Sequence, residues 1–452
     1  MRISVIGVGY LGAVHAAALA ELGHDVTGLD IDRDRVAALQ SGSAPFHEPG
    51  FADLLVQGLA SGRLRFTTDH ADVADAEVHF LGLGTPQRAD GHGADLRHLE
   101  AAVEALAAVL PARAGARTLV VGKSTVPAGT ARRLAARLDR LGGVSLLWNP
   151  EFLREGFAVR DSLSPDRIVY GLADPSAPGA DEAVAMLDEV YARILALGIP
   201  RLVMDFETAE LVKVSANAFL ATKISFINAI AEVCEAVGGD VTQIARAIGM
   251  DERIGSRFLR AGIGFGGGCL PKDLRAFVAS AEERGVGEAL GFLREVDAIN
   301  QRRRTRVVDL AAEMLGDLRD RRIAVLGAAF KPDSDDIRDS PALEVAERLL
   351  LAGAQVRITD PAALPVTARR LPTAEVEPDL ATALRGAELV VLATEWRQYR
   401  DLDPVAAAAL VAVPRMLDAR TVLDGAAWRA AGWELRALGR ADAPRPGRLV
   451  GV

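Results

Sequence analysis

The chain opens on an apolar run that breaks into glycines, "MRISVIGVGYLG", and this junction constrains the fold more than any other stretch. Gly7, Gly9 and Gly12 fit the GxGxxG spacing, with Tyr10 and Leu11 in the same turn. The first glycine makes a tight turn, the second lets backbone approach a pyrophosphate, and the third packs helix on strand. The spacing alone is a weak signal; its surroundings strengthen it. Residues 3–8 read as a buried parallel strand, 12–22 as an alanine-rich helix, and "HDVTGLDID" as a second strand ending on acids. Asp30 ends that second strand, where a carboxylate binds a ribose 2′-hydroxyl and repels a 2′-phosphate. The βαβ unit predicts dinucleotide binding, NAD rather than NADP, with Arg33 and Arg35 near enough in sequence to offset some of that repulsion.

The rhythm continues through "EVHFLGLG", "RTLVVGKST" and "VSLLWNPEF", separated by helical patterns over 96–110 and 129–141, as in a doubly wound sheet. From 203 to 237 apolar residues recur every three or four positions, which predicts one long helix between domains. Near 321 the strand–turn–helix rhythm restarts with "RRIAVLGAAFK", a helix over 341–352, "AQVRITDP" and "AELVVLATEW". The expected fold is α/β, two Rossmann-like doubly wound parallel-sheet domains joined by a long central helix. The expected division is 1–200, 201–300 and 301–440, followed by a flexible tail at 441–452, rich in proline and arginine.

A chain of 452 residues, half apolar and a quarter charged, has enough material for two or three cores. It has no unbroken apolar run of membrane-spanning length, and glycines interrupt the place where a signal peptide would be apolar. A soluble cytoplasmic protein with no membrane partner is expected. The net charge of −9 argues against nucleic acid as a partner, and the local basic run "NQRRRTRVV" reads as a solvated helix face. Two cysteines cannot build a disulfide framework, and the seven histidines lack metal-ligand spacing, so no metal is expected.

Only five of the 52 basic residues are lysines: Lys123, Lys213, Lys223, Lys272 and Lys331. Where arginine serves as the general cation, a lysine suggests a need for a compact ammonium. Lys272 lies in "GFGGGCLPKDL", just after Cys269, and Pro271 suits the first turn of a helix continuing through "KDLRAFVASAEER". A thiol at a helix N-terminus beside a lysine is shifted toward the nucleophilic thiolate, and Asp273 is close in sequence. A structural cysteine in a tight turn is the other reading. Cys234, in the apolar pattern "INAIAEVCEAV", reads as a packed core thiol.

If "NPEFLREG" is helical, Glu151 and Glu155 share a face, as a carboxylate base and a second polar contact would; an ordinary helix start fits equally. Lys213 and Asn217 are also four apart, an ammonium and an amide able to stabilise an oxyanion or simply a solvated pair. Lys331 and Arg338 follow a strand in "AAFKPDSDDIRDSPALEV", and Arg420 follows another in "DARTVLD"; both segments read either as phosphate-binding or as exposed charged loops.

Taken together, the chain resembles the UDP-glucose/GDP-mannose dehydrogenase family. The resemblance runs in order from "GVGYLG" through "HEPGFADLL", "GTP", "KSTVPAGT", "NPEFLREGFAVRDSLSPDRIVYG", "AELVKVSANAFLATKISFINAIAEVCE", "GFGGGCLPKDL" and "AFKPDSDDIRDSPAL" to "TEWRQYRDLD" and "LDARTVLDG". It implies an NAD-binding N-terminal domain, a homodimer formed through the central helix, and a C-terminal domain that binds the nucleotide-sugar. It implies oxidation of a sugar C6 alcohol to a carboxylate with two NAD+, through a cysteine thiohemiacetal and thioester. Carried over residue by residue, Cys269 is the nucleophile, Lys213 and Asn217 stabilise the oxyanion, Asp273 with Thr125 holds water, and Glu151 is the base. Asp30, Arg35, Thr85, Thr125, Glu155, Lys272 and Arg338 match NAD contacts. Glu151, Phe152, Leu153, Lys213, Asn217, Phe258, Gly266, Lys331 and Arg420 match nucleotide-sugar contacts, and Arg253 matches an arginine reaching in from a partner subunit. Lys223 lies in the same helix block with no assigned role.

The chain departs from the family at Gly268, where serine is usual, at His47 in place of an aromatic residue, and at Arg35 in place of a frequent lysine. "FLREG" and "GAVHAA" are similar to the GDP-mannose branch, whereas "SPDRIVYG" and "TEWRQYRDLD" are similar to the UDP-glucose branch, which is preferred. A two-electron hydroxyacid dehydrogenase and an NAD-sensing scaffold are the competing expectations; neither needs Cys269, Glu151 and Lys213 together.

Overall fold

A computed structural model describes residues 1–110 and 118–440, so the tail expected at 441–452 lies outside the described residues. The chain forms two compact units, Met1–Ala216 with Arg275–Arg284, and Asn217–Leu274 with the chain from Gly285 onward. Each holds one sheet.

The first unit contains β1 (Arg2–Ile6), β2 (Asp25–Leu29), β3 (Leu64–Thr67), β4 (Val78–Leu81), β5 (Thr118–Gly122), β6 (Val144–Trp148), β7 (Ile168–Leu172) and β8 (Arg201–Asp205). Their order is β3-β2-β1-β4-β5-β6-β7-β8, with β1 parallel to both β2 and β4. The strand order therefore reverses at β1, and the glycine turn leaves its carboxyl end, where open α/β sheets bind ligands. The sheet is not wholly parallel, because β6 and β7 pair antiparallel at Trp148 and Gly171. A parallel connection needs a crossover that packs back over the sheet. The link over 149–167 has one helix, the six-residue Ala158–Leu163, and the chain returns in the opposite direction.

The second unit contains β9 (Arg322–Leu326), β10 (Gln355–Thr359), β11 (Glu375–Val376), β12 (Leu389–Leu392), β13 (Arg415–Asp418) and β14 (Glu434–Ala437), in the order β11-β10-β9-β12-β13-β14. All its strand pairs are parallel. Its switch point is β9, so the "GAAFKPDSDD" loop leaves at the position that the glycine turn takes in the first unit.

The two halves use one device differently. In the first, Asp30 Oδ2 accepts the Val8 N–H at 2.9 Å. In the second, Asp360 accepts N–H groups from Ala328, Ala329, Ala362 and Ala363 and the indole N–H of Trp396, which leaves little acceptor capacity for a ribose.

Helix Phe206–Val237 is long and apolar enough to cross a membrane by length and composition. Its buried face nevertheless carries Glu210, Lys213, Asn217, Ser225 and Asn228. Ser225 donates to the Val296 carbonyl and Asn228 Oδ1 accepts the Gly262 N–H, so part of this polar face is satisfied by the protein itself, while Asn228 Nδ2 has no partner among the described residues.

The run "NQRRRTRVV" is not a solvated face. It lies on helix Gly291–Leu315, where Arg303 and Arg304 are 0% and 1% exposed. Carboxylates from elsewhere in the fold explain this burial: Glu235 pairs with Arg303 and Arg306 at 2.9 Å each, while Asp339 and Glu344 pair with Arg304.

Candidate functional site

In the first unit, Gly7 has φ +87°, a left-handed conformation that a side chain would strain, and a Cβ at Gly12 would collide with the Gly7 carbonyl. A Cβ at Gly9 would meet nothing within 4 Å, so the backbone there is open to a ligand. Helix Tyr10–Glu21 begins with no side-chain cap and no acidic residue in its first turn, leaving its N–H groups for an anion. Leu11 is half-buried in that turn. Asp30 accepts from Val8, Asp32 and Arg35 at 2.9, 3.0 and 3.0 Å, three of about four lone-pair positions, so one remains for a ribose hydroxyl. These residues fit a dinucleotide. Arg35, bound to Asp30 and Asp32, balances the acids where a 2′-phosphate would otherwise be repelled.

After β4 and β5 come the "GTP" and "KST" loops, tied together by the Thr85 hydroxyl donating to the Thr125 carbonyl at 2.7 Å. Glu210 fixes the end of the second loop by accepting the Gly129 and Ala131 N–H groups at 2.6 and 2.7 Å. Burial pushes its carboxyl up to about 7.

The segment 149–156 is not helical, so Glu151 and Glu155 do not share a helix face. Side chains have taken the donors that a helix would use: the Leu153 N–H goes to Glu151 Oε2 at 2.6 Å, and the Arg154 N–H to Asp161 at 3.0 Å. Glu48 accepts the Gly156 and Ala158 N–H groups at 2.6 and 2.7 Å and the Tyr10 hydroxyl, linking this loop to the glycine turn. The freed Glu151 carboxylate lies 3.3 Å from Lys213 Nζ, with both side chains buried. Phe152 stacks under Arg167 at 3.9 Å and under Lys213 at 5.5 Å. Glu155 is half-buried on the same loop.

A second ammonium supports this pair. Lys123 is buried, donating to Asn149 Oδ1 at 3.1 Å and lying 3.5 Å from the Tyr191 hydroxyl. Burial, reinforced by Lys213 and opposed by Glu151, lowers its ammonium to about 8. Glu151 therefore has one ammonium in contact and a second near enough to interact with it.

In the second unit, Cys269 is exposed and immediately precedes helix Leu270–Glu283, in the N-terminal position expected from sequence. Asp273, in the first turn, donates its N–H to the Cys269 carbonyl and accepts from Asn217 Nδ2 at 2.7 Å and Lys272 Nζ at 2.6 Å. The structure thus brings together Asn217, Lys272 and Asp273 beside the cysteine's peptide. Gly268 has its own reason: a side chain there would run into the Arg338 guanidinium, which Asp336 grips with bonds of 2.7 to 3.0 Å. Cys234 is buried in the core, and burial raises its thiol.

Arg420, read as a substrate contact, donates to the carbonyls of Ala393, Gly264 and Phe330. Lys331 stands 5.2 Å over the Phe330 ring, and Phe258 holds φ +64°. A Cβ at Gly266 would strike the Asp339 carbonyl, so the chain passes this segment without clearance for a side chain. Arg253 is exposed and forked onto Asp251, while Lys223 donates to the carbonyls of Ile254 and Gly255. Sequence reasoning missed Glu48, Lys123, Asn149 and Glu210. Lysine scarcity pointed toward Lys123, but nothing in the chain signals that Glu48 and Glu210 act on backbone far away in sequence.

Family profiles match the chain in three successive blocks, all described as UDP-glucose/GDP-mannose dehydrogenase family: the NAD binding domain over 1–195, the central domain over 207–302 and the UDP binding domain over 324–425. The chain is 40% identical over 449 residues to a UDP-glucose 6-dehydrogenase of Rhizobium meliloti, covering 98% of this chain and 100% of that one. A solved UDP-glucose dehydrogenase from Pyrobaculum islandicum superposes with a TM-score of 0.87 at 39% identity, covering 97% and 98% of the two chains. A UDP-D-ManNAc dehydrogenase from Pyrococcus horikoshii gives 0.84 at 27% identity, covering 98% and 100%.

Proposed function

The chain belongs to the UDP-glucose/GDP-mannose dehydrogenase family of NAD-dependent nucleotide-sugar oxidoreductases, and from that premise we propose that it oxidises UDP-glucose at C6 to UDP-glucuronate. The observation that carries this reading is an exposed Cys269 at the entry to a helix whose first turn holds Lys272 and the buried Asp273, the latter also bonded by the buried Asn217. A two-electron alcohol oxidation has no use for such a thiol. In the proposed path, removal of the first hydride and a proton leaves the C6 aldehyde, and Cys269 Sγ adds to it as a thiohemiacetal. Loss of a second hydride and proton gives the thioester, and water releases the carboxylate and the thiol. NAD+, when bound, supplies the hydride acceptor, one cofactor for each of the two oxidations.

This chain's residues have the remaining roles. Gly7, Gly9, Gly12 and Asp30 hold the dinucleotide. Asn217 steadies the developing oxyanion, and Asp273 orients water while Lys272 balances its charge. Glu151, held beside Lys213, takes the proton in hydrolysis. The active form in this proposal is a cytoplasmic homodimer assembled through helix Phe206–Val237, which exposes Phe219, Phe226, Val233 and Val237.

The test is NADH formed per UDP-glucose, with limiting sugar and excess NAD+, and with GDP-mannose and UDP-N-acetyl sugars in parallel. Two NADH per UDP-glucose, and acid formation lost in Cys269→Ser with NAD+ binding kept, is the expected result. Two with GDP-mannose alone would move the substrate; one per sugar, or none with any, would overturn the double oxidation.

A further inference from the structure

Cys269 ends a loop that has almost no side chains by which to hold it. Of residues 264–268 only Phe265 carries one, and glycines lose the most conformational freedom on ordering. The loop that leads to Cys269 is therefore held chiefly through its backbone.

The backbone is gripped most densely at one peptide, beside single bonds from Arg420 to the Gly264 carbonyl and from the Gly267 N–H to the Arg338 carbonyl. Asn300 Oδ1 accepts the Phe265 N–H at 2.8 Å and Asn300 Nδ2 donates to the Phe265 carbonyl at 2.9 Å, an amide-to-peptide fork. The same carbonyl accepts Arg304 Nη2 at 3.0 Å. Asn300 and Arg304 are one turn apart on helix Gly291–Leu315, and both are 1% exposed or less. Arg304 also pairs with Asp339 at 2.9 Å, and the Gly267 N–H donates to the neighbouring Arg338 carbonyl at 2.9 Å. A Cβ at Gly264, which holds φ +100°, would collide with Asn300 Oδ1, so the grip closes around a residue that has none. A buried guanidinium is a demanding way to fill a core, and its retention here coincides with a direct bond to this loop.

We propose that Asn300 and Arg304 are positioning residues that hold Cys269 in place by gripping the Phe265 peptide. This rests on Cys269 being the nucleophile. Arg304→Lys keeps the charge but cannot satisfy Asp339, Glu344 and the Phe265 carbonyl at once. In that variant kcat is expected to fall about 100-fold, the scale of a misplacement near 1 Å. NAD+ affinity should stay within twofold, the iodoacetamide alkylation rate of Cys269 should change at least threefold, and the 264–269 amides should exchange faster. Unchanged kcat and alkylation in a folded Arg304→Lys would overturn the proposal. If Arg304→Lys does not fold, Asn300→Ser is read in the same way. If neither folds, hydrogen exchange on the wild type decides: Phe265 and Gly267 amides as slow as those of helix Leu270–Glu283 support the grip, and loop-like exchange sinks it. Should the wild type reduce no NAD+ with any nucleotide-sugar, the functional reading fails while alkylation and exchange still judge the grip.

Discussion

Lys123 carries its charge among Asn149, Tyr191 and the Phe80 ring, where little water can solvate it. Its folded value of about 8 lies below the ordinary 10.5, chiefly through burial. Between these two values the unfolded chain binds a proton that the native protein has released, so the linkage makes stability rise with pH across that window. Below about pH 8 the native state bears the whole penalty, about 3 kcal/mol from 2.5 units at 1.36 each. Lys123→Met removes the group and leaves Asn149 Oδ1 its bond from Tyr191 at 2.8 Å. The stability advantage of the variant over wild type should shrink by about 2 kcal/mol between pH 7 and pH 9.5, as measured by urea unfolding at each pH. A constant difference would mean that native Lys123 keeps its proton across this range and that its ammonium is not lowered. Turnover should fall in the same variant, because Glu151 loses one of its two ammonium neighbours.

Glu48 shows how an element can be placed from far away. Its carboxylate caps two N–H groups of the 151–158 loop and the Tyr10 hydroxyl, so the glycine turn and the Glu151 loop share one anchor. Glu48→Gln keeps one acceptor and turns an NH2 toward a buried N–H, a change of about 2 kcal/mol in thermal or urea unfolding. The KM for nucleotide-sugar should rise more than the Kd for NAD+, and equal changes in both would deny the loop this role. Such anchors also mark where the sequence is legible. The glycine turn, the strands that follow it and the helix entry at Cys269 are legible because their signals are local: a required φ, a run of β-branched residues, a proline in a first turn. The loop at 149–156 is not, since its four-residue carboxylate spacing fits a helix until Glu151 and Asp161 claim the backbone donors. The arginine run misleads for a related reason. Its neutralising acids, Glu235, Asp339 and Glu344, are scattered over more than a hundred residues, and no window of sequence contains them. The antiparallel pairing of β7 likewise follows from the lack of a full crossover helix, which apolar runs alone do not record.

For the molecule as a whole, the central helix poses a problem of solvation. Phe219, Phe226 and Val233 recur every seven residues and Val237 follows one turn later, at 66%, 50%, 55% and 74% exposure. Single exposed apolar residues are ordinary, but a stripe at heptad spacing is a surface suited to another helix. A second copy supplies that helix without any new sequence, and a two-fold axis through the stripe would make it self-complementary. Burying each Phe is worth about 1.5–3 kcal/mol, so charging two of them in both copies removes most of the apolar drive. If this stripe joins two copies as proposed, the wild type should sediment as a dimer at micromolar concentration and Phe219→Glu/Phe226→Glu as a monomer. The helix's buried face, with Asn217, Ser225 and Asn228, is untouched, so the thermal transition should remain cooperative. NAD+ binding should also persist, since the glycine turn and Asp30 belong to the first unit alone. The roles assigned across the dimer then diverge. Arg253, exposed and paired with Asp251, is expected from the family resemblance to act on a partner's substrate, so the monomer should lose turnover while retaining its cofactor. A monomeric variant with full turnover would remove Arg253 from the reaction, and a variant that stays dimeric would place the interface elsewhere.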